Sequence, residues 1–214
     1  MTPDLAAYFG RWQELHGGYD PRTGSVWLRR WLTLVWFVAR PLARRGVRPD
    51  VVTLWSLALA GCVVVLASVG GGWVVGAGLL VVLSGLVDSV DGCVAILQDR
   101  VSRWGYVLDS VVDRLSDSAY LWAAVLLGCP GWLAVACGLA CFLLEYLRAR
   151  AGNAGGDEVG RITIAERPTR VIVLAPTLLL AGFFPVAGLG VAVLLALTLV
   201  GLGQLVVVVR RQLA

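Results

Sequence analysis

The chain has 214 residues, of which 58% are hydrophobic and 15% are charged, and its mean hydropathy is +0.81. Soluble domains carry about a quarter charged residues and slightly less than half apolar ones. This composition excludes a disordered chain and argues against a water-soluble globule, so most of the chain is expected to lie in lipid. All 18 basic residues are arginines, and the formal net charge is +4. The five cysteines are scattered and the single histidine is His16, so neither a zinc site nor a disulfide framework is predicted.

The first apolar segment, residues 31–39, is too short to cross a bilayer, which takes about 20 residues. Arginines flank this segment on both sides, and Trp27, Trp31 and Trp36 lie on or near it. Such a segment is typical of an amphipathic helix that lies along the lipid headgroups. An ordinary surface helix of a soluble domain is the alternative.

Six longer apolar stretches follow, at residues 51–69, 73–97, 106–127, 132–147, 171–184 and 186–209. Glycine and proline occur between several of them, at 70–72, 128–131 and 185, where helices are expected to end. The fourth and fifth stretches are short by hydropathy alone, so we expect them to extend into the neighbouring polar residues.

The distribution of arginine predicts the topology. Arginines occur in the N-terminal segment, at 100–103, at 148–170 and at 210–211, whereas the alternate connections near Gly71, Pro130 and Pro185 carry no charge. By the positive-inside rule, this pattern predicts six transmembrane helices with both termini cytoplasmic. The predicted fold is all-α and integral to the membrane. It divides into an N-terminal cytoplasmic and interfacial segment with the amphipathic helix (1–48), a six-helix transmembrane domain (49–209) and a short cytoplasmic tail (210–214).

Acidic residues interrupt the second and third predicted spans: Asp88, Asp91, Asp109, Asp113 and Asp117. An Asp at the centre of a membrane helix costs about 2.5 to 3.5 kcal/mol on insertion scales, so these side chains are not expected to face lipid. Spacings of three and four residues put each set on one helix face. Because the two spans are antiparallel and joined by a short loop, Asp88, Asp91, Asp109 and Asp113 are expected to meet near the cytoplasmic surface.

Four carboxylates at close range repel one another unless a cation lies between them. Hard oxygen ligands without Cys or His favour Mg²⁺ or Mn²⁺, and Ca²⁺ is also compatible. The alternative is pairing with arginine inside the bundle, for example of Asp113 or Asp117 with Arg103 or Arg114. The small residues Gly92, Ala95 and Gly105 accompany the acids, and they either allow close helix packing or leave room for a ligand.

Together these residues read Asp88-x-x-Asp91-Gly92-x-x-Ala95, nine residues, then Gly105-x-x-x-Asp109-x-x-x-Asp113. This pattern resembles the signature of the CDP-alcohol phosphotransferases, integral membrane enzymes of phospholipid synthesis. The segment 49–53, Pro-Asp-Val-Val-Thr, is similar to the family's Pro-Asn-x-x-Thr. The segment 145–151, Glu-Tyr-Leu-Arg-Ala-Arg-Ala, is similar to Ser-Tyr-x-Lys-Ala-Arg-Ala of bacterial phosphatidylglycerolphosphate and phosphatidylinositol-phosphate synthases. The resemblance covers about residues 26–205, and residues 1–25 have no counterpart.

The resemblance implies metal-dependent transfer of a phosphatidyl group from a CDP-linked lipid, such as CDP-diacylglycerol, to the hydroxyl of a polar alcohol, with release of CMP. It implies that Asp88, Asp91 and Asp109 are metal ligands and that Asp113 deprotonates the acceptor while also contacting metal. The metal is expected to be Mg²⁺, with Mn²⁺ as an alternative. The residues implied to contact the CDP-lipid are Asp50, Thr53, Asp88, Gly92, Ala95, Arg100 and Gly105.

The chain departs from the family pattern at two positions. The family has Arg directly after the alanine, where it helps to hold the pyrophosphate, and here that position is Ile96. We expect Arg100, one helical turn further on, or Arg103 to supply the charge. Asp50 replaces the family's Asn and accepts hydrogen bonds without donating them.

Arginine is concentrated in one further segment, at Arg148, Arg150, Arg161, Arg167 and Arg170. Arginines suit bidentate phosphate binding, so the acceptor is expected to be a phosphorylated alcohol such as inositol phosphate or glycerol phosphate. Of these, Arg148, Arg150, Arg167 and Arg170 are the predicted acceptor ligands. Positive-inside bias alone is the alternative explanation for them.

Other expectations concern the setting. The predicted location is the cell (inner) membrane, with the active site facing the cytoplasm and a homodimer implied by the resemblance. No nucleic-acid partner is expected. Two other functions stay open: a catalytically weakened relative that binds nucleotide or lipid without turnover, which Ile96 motivates, and a small cation transporter that uses the acids as its path.

Overall fold

The computed structural model describes residues 3–155 and 163–213, and within those ranges the chain is all-helical. Eight helices lie in these residues: α1 (Leu5–Leu15), α2 (Val26–Arg44), α3 (Pro49–Val69), α4 (Trp73–Leu97), α5 (Arg103–Leu126), α6 (Gly131–Asn153), α7 (Arg167–Ala181) and α8 (Ala187–Leu213). The predicted all-α fold is confirmed. The sequence did not predict α1, in which Asp4 caps the N-terminus by accepting a 2.8 Å hydrogen bond from the backbone N–H of Ala7.

Four helices of the described chain are long and apolar enough to cross a membrane: α3, α4, α6 and α8. The other two predicted spans form the helices α5 and α7. Helix α5 carries several charged residues and α7 has 15 residues, so neither has the length and composition of a simple span. The structure thus supports a membrane protein with four such helices. As expected, the fourth stretch extends into polar residues, since α6 reaches Asn153, and the fifth extends at its N-terminal end to Arg167.

Helix ends coincide with the glycines that the sequence marked as breakers. Gly70, Gly71 and Gly128 have φ values of +74°, +56° and +96°. This left-handed conformation is accessible to glycine without the steric cost that a Cβ brings. The connections α3–α4 and α5–α6 are short because these glycines let the chain turn tightly.

The chain forms two compact units. The first contains the described residues up to Ala58 together with Ser84–Asp113, and its core is an apolar cluster from α1, α2, α3 and α4. Helix α2 contributes buried residues at helical spacing, namely Leu32, Val35, Trp36, Ala39 and Ala43. Its opposite face presents Trp27, Leu34 and Phe37 to the surroundings. This amphipathic pattern is the one expected of an interfacial helix.

The second unit contains Leu59–Leu83 and the described residues from Arg114 onward. Small residues allow close helix packing there, as is common in membranes. A Cβ placed on Gly78 would lie 2.7 Å from the backbone nitrogen of Leu179.

Four of the five cysteines of the chain are buried and Cys62 is exposed, and all five are free thiols.

A buried ion-pair network joins α5, α6 and α7 in the second unit. Arg170, with 1% of its surface exposed, donates to Asp117 at 2.6 Å and to Glu145 at 2.7 Å. Arg114 lies 3.7 Å from both carboxylates. For Asp117, the alternative of pairing with arginine is therefore confirmed: Arg114 is one partner, as the sequence suggests, and Arg170 is a closer one.

Replacing Arg170 with Met tests this network. The change leaves Asp117 buried without its closest partner, and breaking a buried ion pair costs about 3 to 5 kcal/mol. We expect a large fall in the apparent unfolding temperature of the purified protein, measured in detergent by intrinsic fluorescence. The double variant Asp117→Leu with Arg170→Met buries no unpaired charge at these two positions and is expected to recover most of the loss. Arg210→Met, at an exposed arginine of α8, is the matched control, and an equal loss in Arg170→Met and Arg210→Met would contradict the assignment.

Candidate active site

Three carboxylates of the first unit converge. Asp88 lies on α4, and Asp109 and Asp113 lie one turn apart on α5. Each offers one carboxylate oxygen, and these oxygens all lie within 4.8 Å of one another. All three side chains are half-buried. The sequence prediction that these two helix faces meet is therefore confirmed for Asp88, Asp109 and Asp113.

The donor set fits a hard divalent cation. Oxygen ligands lie about 2.0 to 2.6 Å from Mg²⁺ or Ca²⁺, so two ligands of one ion are at most about 5 Å apart. The separations within the group of Asp88, Asp109 and Asp113 fall inside that limit. No Cys or His belongs to this group, which disfavours the softer metals. The arrangement supports a divalent metal centre.

Asp91 has a different neighbour. It lies outside the group of three, and its Oδ2 accepts a 2.5 Å hydrogen bond from the hydroxyl of Thr53. Both side chains are buried, with 6% and 4% of their surface exposed. The predicted quartet is therefore observed as three converging acids and a fourth acid bound to α3. Whether Asp91 ligates metal stays a prediction.

A cavity of 420 Å³ in the first unit collects the residues predicted to contact the CDP-lipid. Six of these seven residues line it, namely Asp50, Thr53, Gly92, Ala95, Arg100 and Gly105. Asp88 is not among the lining residues. Asp91 and Asp109 line it as well, so acids and predicted lipid contacts share one space. This volume lies in the range of typical small-ligand sites.

The two glycines of the cavity differ. A Cβ placed on Gly92 would meet nothing within 4 Å, so this glycine borders open space. A Cβ on Gly105 would lie 3.2 Å from Oγ of Ser102, whose oxygen already accepts the backbone N–H of Gly105 at 2.9 Å. Room for a ligand is therefore the better explanation for Gly92. For Gly105, the contact with Ser102 is a local cap at the N-terminus of α5. The N-terminal end of a helix favours anions.

Arg100 reaches the cavity through the turn that follows α4, three residues beyond the end of the helix. Helix α4 ends at Leu97, and Asp99 has a φ of +52°. The backbone N–H of Arg100 donates to the carbonyl of Ala95 at 2.8 Å, and that of Asp99 donates to Ile96 at 3.2 Å. These two bonds form a Schellman motif, which folds the chain back over the last turn of the helix. Arg100 thereby lines the same cavity as Ile96, the position where the family has arginine.

Several cavity residues were missed by sequence reasoning. Leu15 ends α1 and His16 follows it, and Tyr106 lies in the first turn of α5. The His16 ring stacks on Trp12 at 3.9 Å between centroids. Tyr8 and Phe9 anchor α1 in the core, and burial, with the nearby Cys93, raises the pKa of Tyr8. No signal in the sequence connected α1 with the motif residues.

The arginines predicted to bind the acceptor phosphate lie in the second unit. Arg148 forms a bidentate ion pair with Glu166, at 2.6 and 3.0 Å. Arg170 belongs to the buried network described above. Burial favours a raised pKa for Glu166, but hydrogen bonds from Arg148 and Thr163 outweigh it and hold that pKa below its ordinary value. Arg150 is exposed and Arg167 is half-buried, while Arg161 lies outside the described residues. Arg170 is buried and pairs with two carboxylates, which favours a structural role over phosphate binding for this residue.

Comparison with known proteins agrees with this geometry. Residues 46–208 match the sequence model of the CDP-alcohol phosphatidyltransferase family. The chain is 34% identical over 189 residues to phosphatidylinositol phosphate synthase of Streptomyces avermitilis, covering 79% of this chain and 72% of that protein. It is 31% identical over 195 residues to the enzyme of that name from Cutibacterium acnes, covering 86% and 93%.

Two solved structures are similar along most of the chain. Phosphatidylinositol phosphate synthase of Mycobacterium tuberculosis, in complex with manganese and citrate, has a TM-score of 0.68 at 26% identity and covers 82% of this chain and 88% of that chain. The structure of that synthase with CDP-DAG bound has a TM-score of 0.67 at 26% identity and covers 83% and 94%. With the family match spanning most of its length, the chain belongs to the CDP-alcohol phosphatidyltransferase family of membrane transferases.

Proposed function

We propose that this chain transfers the phosphatidyl group of CDP-diacylglycerol to a polyol phosphate, inositol phosphate foremost, and releases CMP. The observation that carries the proposal is the convergence of Asp88, Asp109 and Asp113 within one unit that also holds the 420 Å³ cavity. The relatives named phosphatidylinositol phosphate synthase support inositol phosphate as the acceptor.

The metal is proposed to be Mg²⁺, with Mn²⁺ able to replace it, and its ligands are Asp88, Asp109, Asp113 and, as a predicted fourth, Asp91. When bound, the ion supplies neutralisation of the negative charge that develops on the phosphates and on the departing CMP. The hydrogen bond from Thr53 to Asp91 fixes the orientation of that carboxylate at the cavity wall. This positioning is the contribution we assign to Thr53.

Asp113 is proposed as the general base. The acceptor hydroxyl oxygen forms a bond to the phosphorus that carries the diacylglycerol, the bond from that phosphorus to the CMP oxygen breaks, and the hydroxyl proton moves to the Asp113 carboxylate. A general base needs reach to that hydroxyl and a pKa not far below the operating pH. The Asp113 carboxylate is half-buried beside Asp88 and Asp109, in the unit that also holds the 420 Å³ cavity.

The cavity is proposed to hold the CDP-lipid. Gly92 leaves space for it, and the N-terminus of α5 at Gly105 offers a positive helix end to the phosphates. Asp50 and Ala95 complete the predicted contacts. Arg100 is proposed to supply the positive charge that the family places at the position of Ile96, and its place on the cavity wall supports this role.

The membrane setting is also a proposal. We infer six crossings, with α5 and α7 added to the four long apolar helices, because arginine alternates with uncharged connections along the chain. Both termini and the active site then face the cytoplasmic side of the cell membrane.

A homodimer is proposed from the family resemblance. For the acceptor phosphate, Arg148, Arg150 and Arg167 are the proposed ligands.

Asp113→Asn tests the reaction. Purified protein with Mg²⁺ and CDP-diacylglycerol is offered a panel of polyols and polyol phosphates, and CMP release and lipid mass are measured. We expect CMP release with inositol phosphate by the unmodified protein and a fall of at least about 100-fold in Asp113→Asn, since general bases contribute on that order. Binding of the CDP-lipid is expected to persist.

Asp20→Asn, at an acid of the α1–α2 connection, is the control for that experiment. Absence of CMP release with every acceptor would refute the transferase proposal and leave a binding protein without turnover. Loss of CDP-lipid binding in Asp113→Asn would assign the lost CMP release to the role of this acid as a metal ligand and would contradict its assignment as the base.

The replacement of the family's arginine by Arg100 is tested separately. Arg100→Ala should weaken CDP-lipid binding by about tenfold or more, because charged hydrogen bonds to phosphate contribute about 1.5 to 3 kcal/mol. Adding Ile96→Arg to Arg100→Ala should restore part of that affinity, since both side chains line one cavity. If the double variant binds no better than Arg100→Ala, Arg100 does not stand in for the missing arginine. Arg103→Ala, at the other candidate, is the comparison.

A further inference from the structure

A second cavity in the first unit is basic where the first is acidic. It has a volume of 680 Å³ and lies between the C-terminal turn of α2 and the end of α4. Its lining residues are Arg40, Ala43, Arg44, Gly46, Leu97, Gln98 and Arg100. Neither the proposed reaction nor the family signature uses Arg40 or Arg44.

The walls of this cavity are fixed by hydrogen bonds. Gly46, with φ of +72°, ends α2 in a Schellman motif, in which Gly46 N–H donates to Ala43 and Val47 N–H donates to Leu42. The side-chain amide of Gln98 then donates to the carbonyls of Ala43 and Val47, at 3.2 and 2.9 Å. Gln98 thus joins the two helix ends, and its Oε1 accepts from Arg100 at 3.4 Å. The cavity is built into the fold of this unit.

The electrostatics of the cavity favour an anion. Three guanidinium groups border it, and no carboxylate is among its lining residues in the described chain. Arg40 is held over the ring of Trp36 at 4.9 Å, which sets the direction of its side chain. A phosphate group offers several oxygens, so it can accept hydrogen bonds from more than one of these guanidinium groups at once.

The surroundings point to a membrane surface as the source of such a group. The face of α2 opposite its buried residues exposes Trp27, Leu34 and Phe37, and this helix ends in Arg44. An amphipathic helix with aromatic residues on one face and arginine at its end places its basic groups at the depth of lipid headgroups. We propose that the basic cavity binds a phosphate group, presented by an anionic phospholipid or by a soluble phosphate ester.

The proposal does not depend on the proposed reaction. Arg40 and Arg44 have no part in the acid-lined cavity, so their substitution leaves the predicted CDP-lipid contacts intact. Arg100 lines both cavities and is therefore left unchanged in the test.

The test compares two double variants of the full chain, Arg40→Gln with Arg44→Gln and Arg29→Gln with Arg30→Gln. Both remove two positive charges from α2, but Arg29 and Arg30 are exposed and do not line the cavity. Retention of phosphatidic acid against phosphatidylcholine of the same acyl chains is measured by native mass spectrometry from detergent. Competition by glycerol phosphate and by inorganic phosphate is measured in parallel.

We expect Arg40→Gln with Arg44→Gln to lose phosphatidic acid affinity by about tenfold or more, since each arginine near an anionic lipid contributes about 1 kcal/mol. The control pair should change it little. Displacement of the lipid by glycerol phosphate supports the proposal with a soluble ester as the occupant, and resistance to it supports the lipid. Equal losses in the two double variants, or no loss in either, would overturn the proposal. If the first double variant does not fold, Arg44→Glu alone is judged by the same outcomes.

Discussion

Mutual repulsion of carboxylates governs the first unit. Asp88, Asp109 and Asp113 hold one carboxylate oxygen each within 4.8 Å of one another, on α4 and α5. Two like charges at 4 Å repel by about 4 kcal/mol even at an effective dielectric constant of 20. A divalent cation held by these acids would turn that cost into attraction and would also stabilise phosphate charge during transfer. Such a metal would link the folding of these two helix ends to the proposed reaction.

The second unit handles its buried charge differently. Asp117, one turn beyond Asp113 on α5, is neutralised by Arg170 and Arg114, so it needs no ion. Glu145 stands where the similar synthase segment has serine, and it accepts from Arg170. Asp117 is therefore part of a structural ion pair. The transporter alternative, a cation path along the aspartates, loses this acid as a free ligand.

Much of the site was predictable because it follows from local periodicity. The four-residue spacing of Asp109 and Asp113 places them on one face of a helix wherever the helix lies, and a short connection brings α4 back beside them. The hydrogen bond of Asp91 was not predictable, because its partner, Thr53, comes from α3 and residue spacing does not encode a tertiary hydrogen bond. Helix α4 ends at Leu97, where the apolar stretch also ends, but the turn that follows was not predictable from hydropathy. The positive φ at Asp99 turns the chain back, so that Arg100 lines the cavity.

Other features depend on contacts between distant segments. Helix α1 joins the cavity through Leu15 and His16 because Tyr8 and Phe9 pack in the same core as α2 and α4. From the sequence alone, an arginine that forms an internal ion pair could not be told from one that follows the positive-inside rule, since both explanations place Arg170 in that segment. Only burial and the two short contacts decide between a surface charge and an internal one.

The most direct test of the account is metal binding by the carboxylate group itself, without turnover. Mn²⁺ titrations of the purified chain, followed by electron paramagnetic resonance, compare the unmodified protein with Asp109→Asn and with Glu14→Gln, which removes an exposed acid of the same unit. The account predicts saturable binding that Asp109→Asn weakens by about tenfold or more, since a charged ligand is lost from a hard-cation site, and that Glu14→Gln leaves unchanged. Equal affinity in all three proteins, or no saturable binding in the unmodified one, would contradict it.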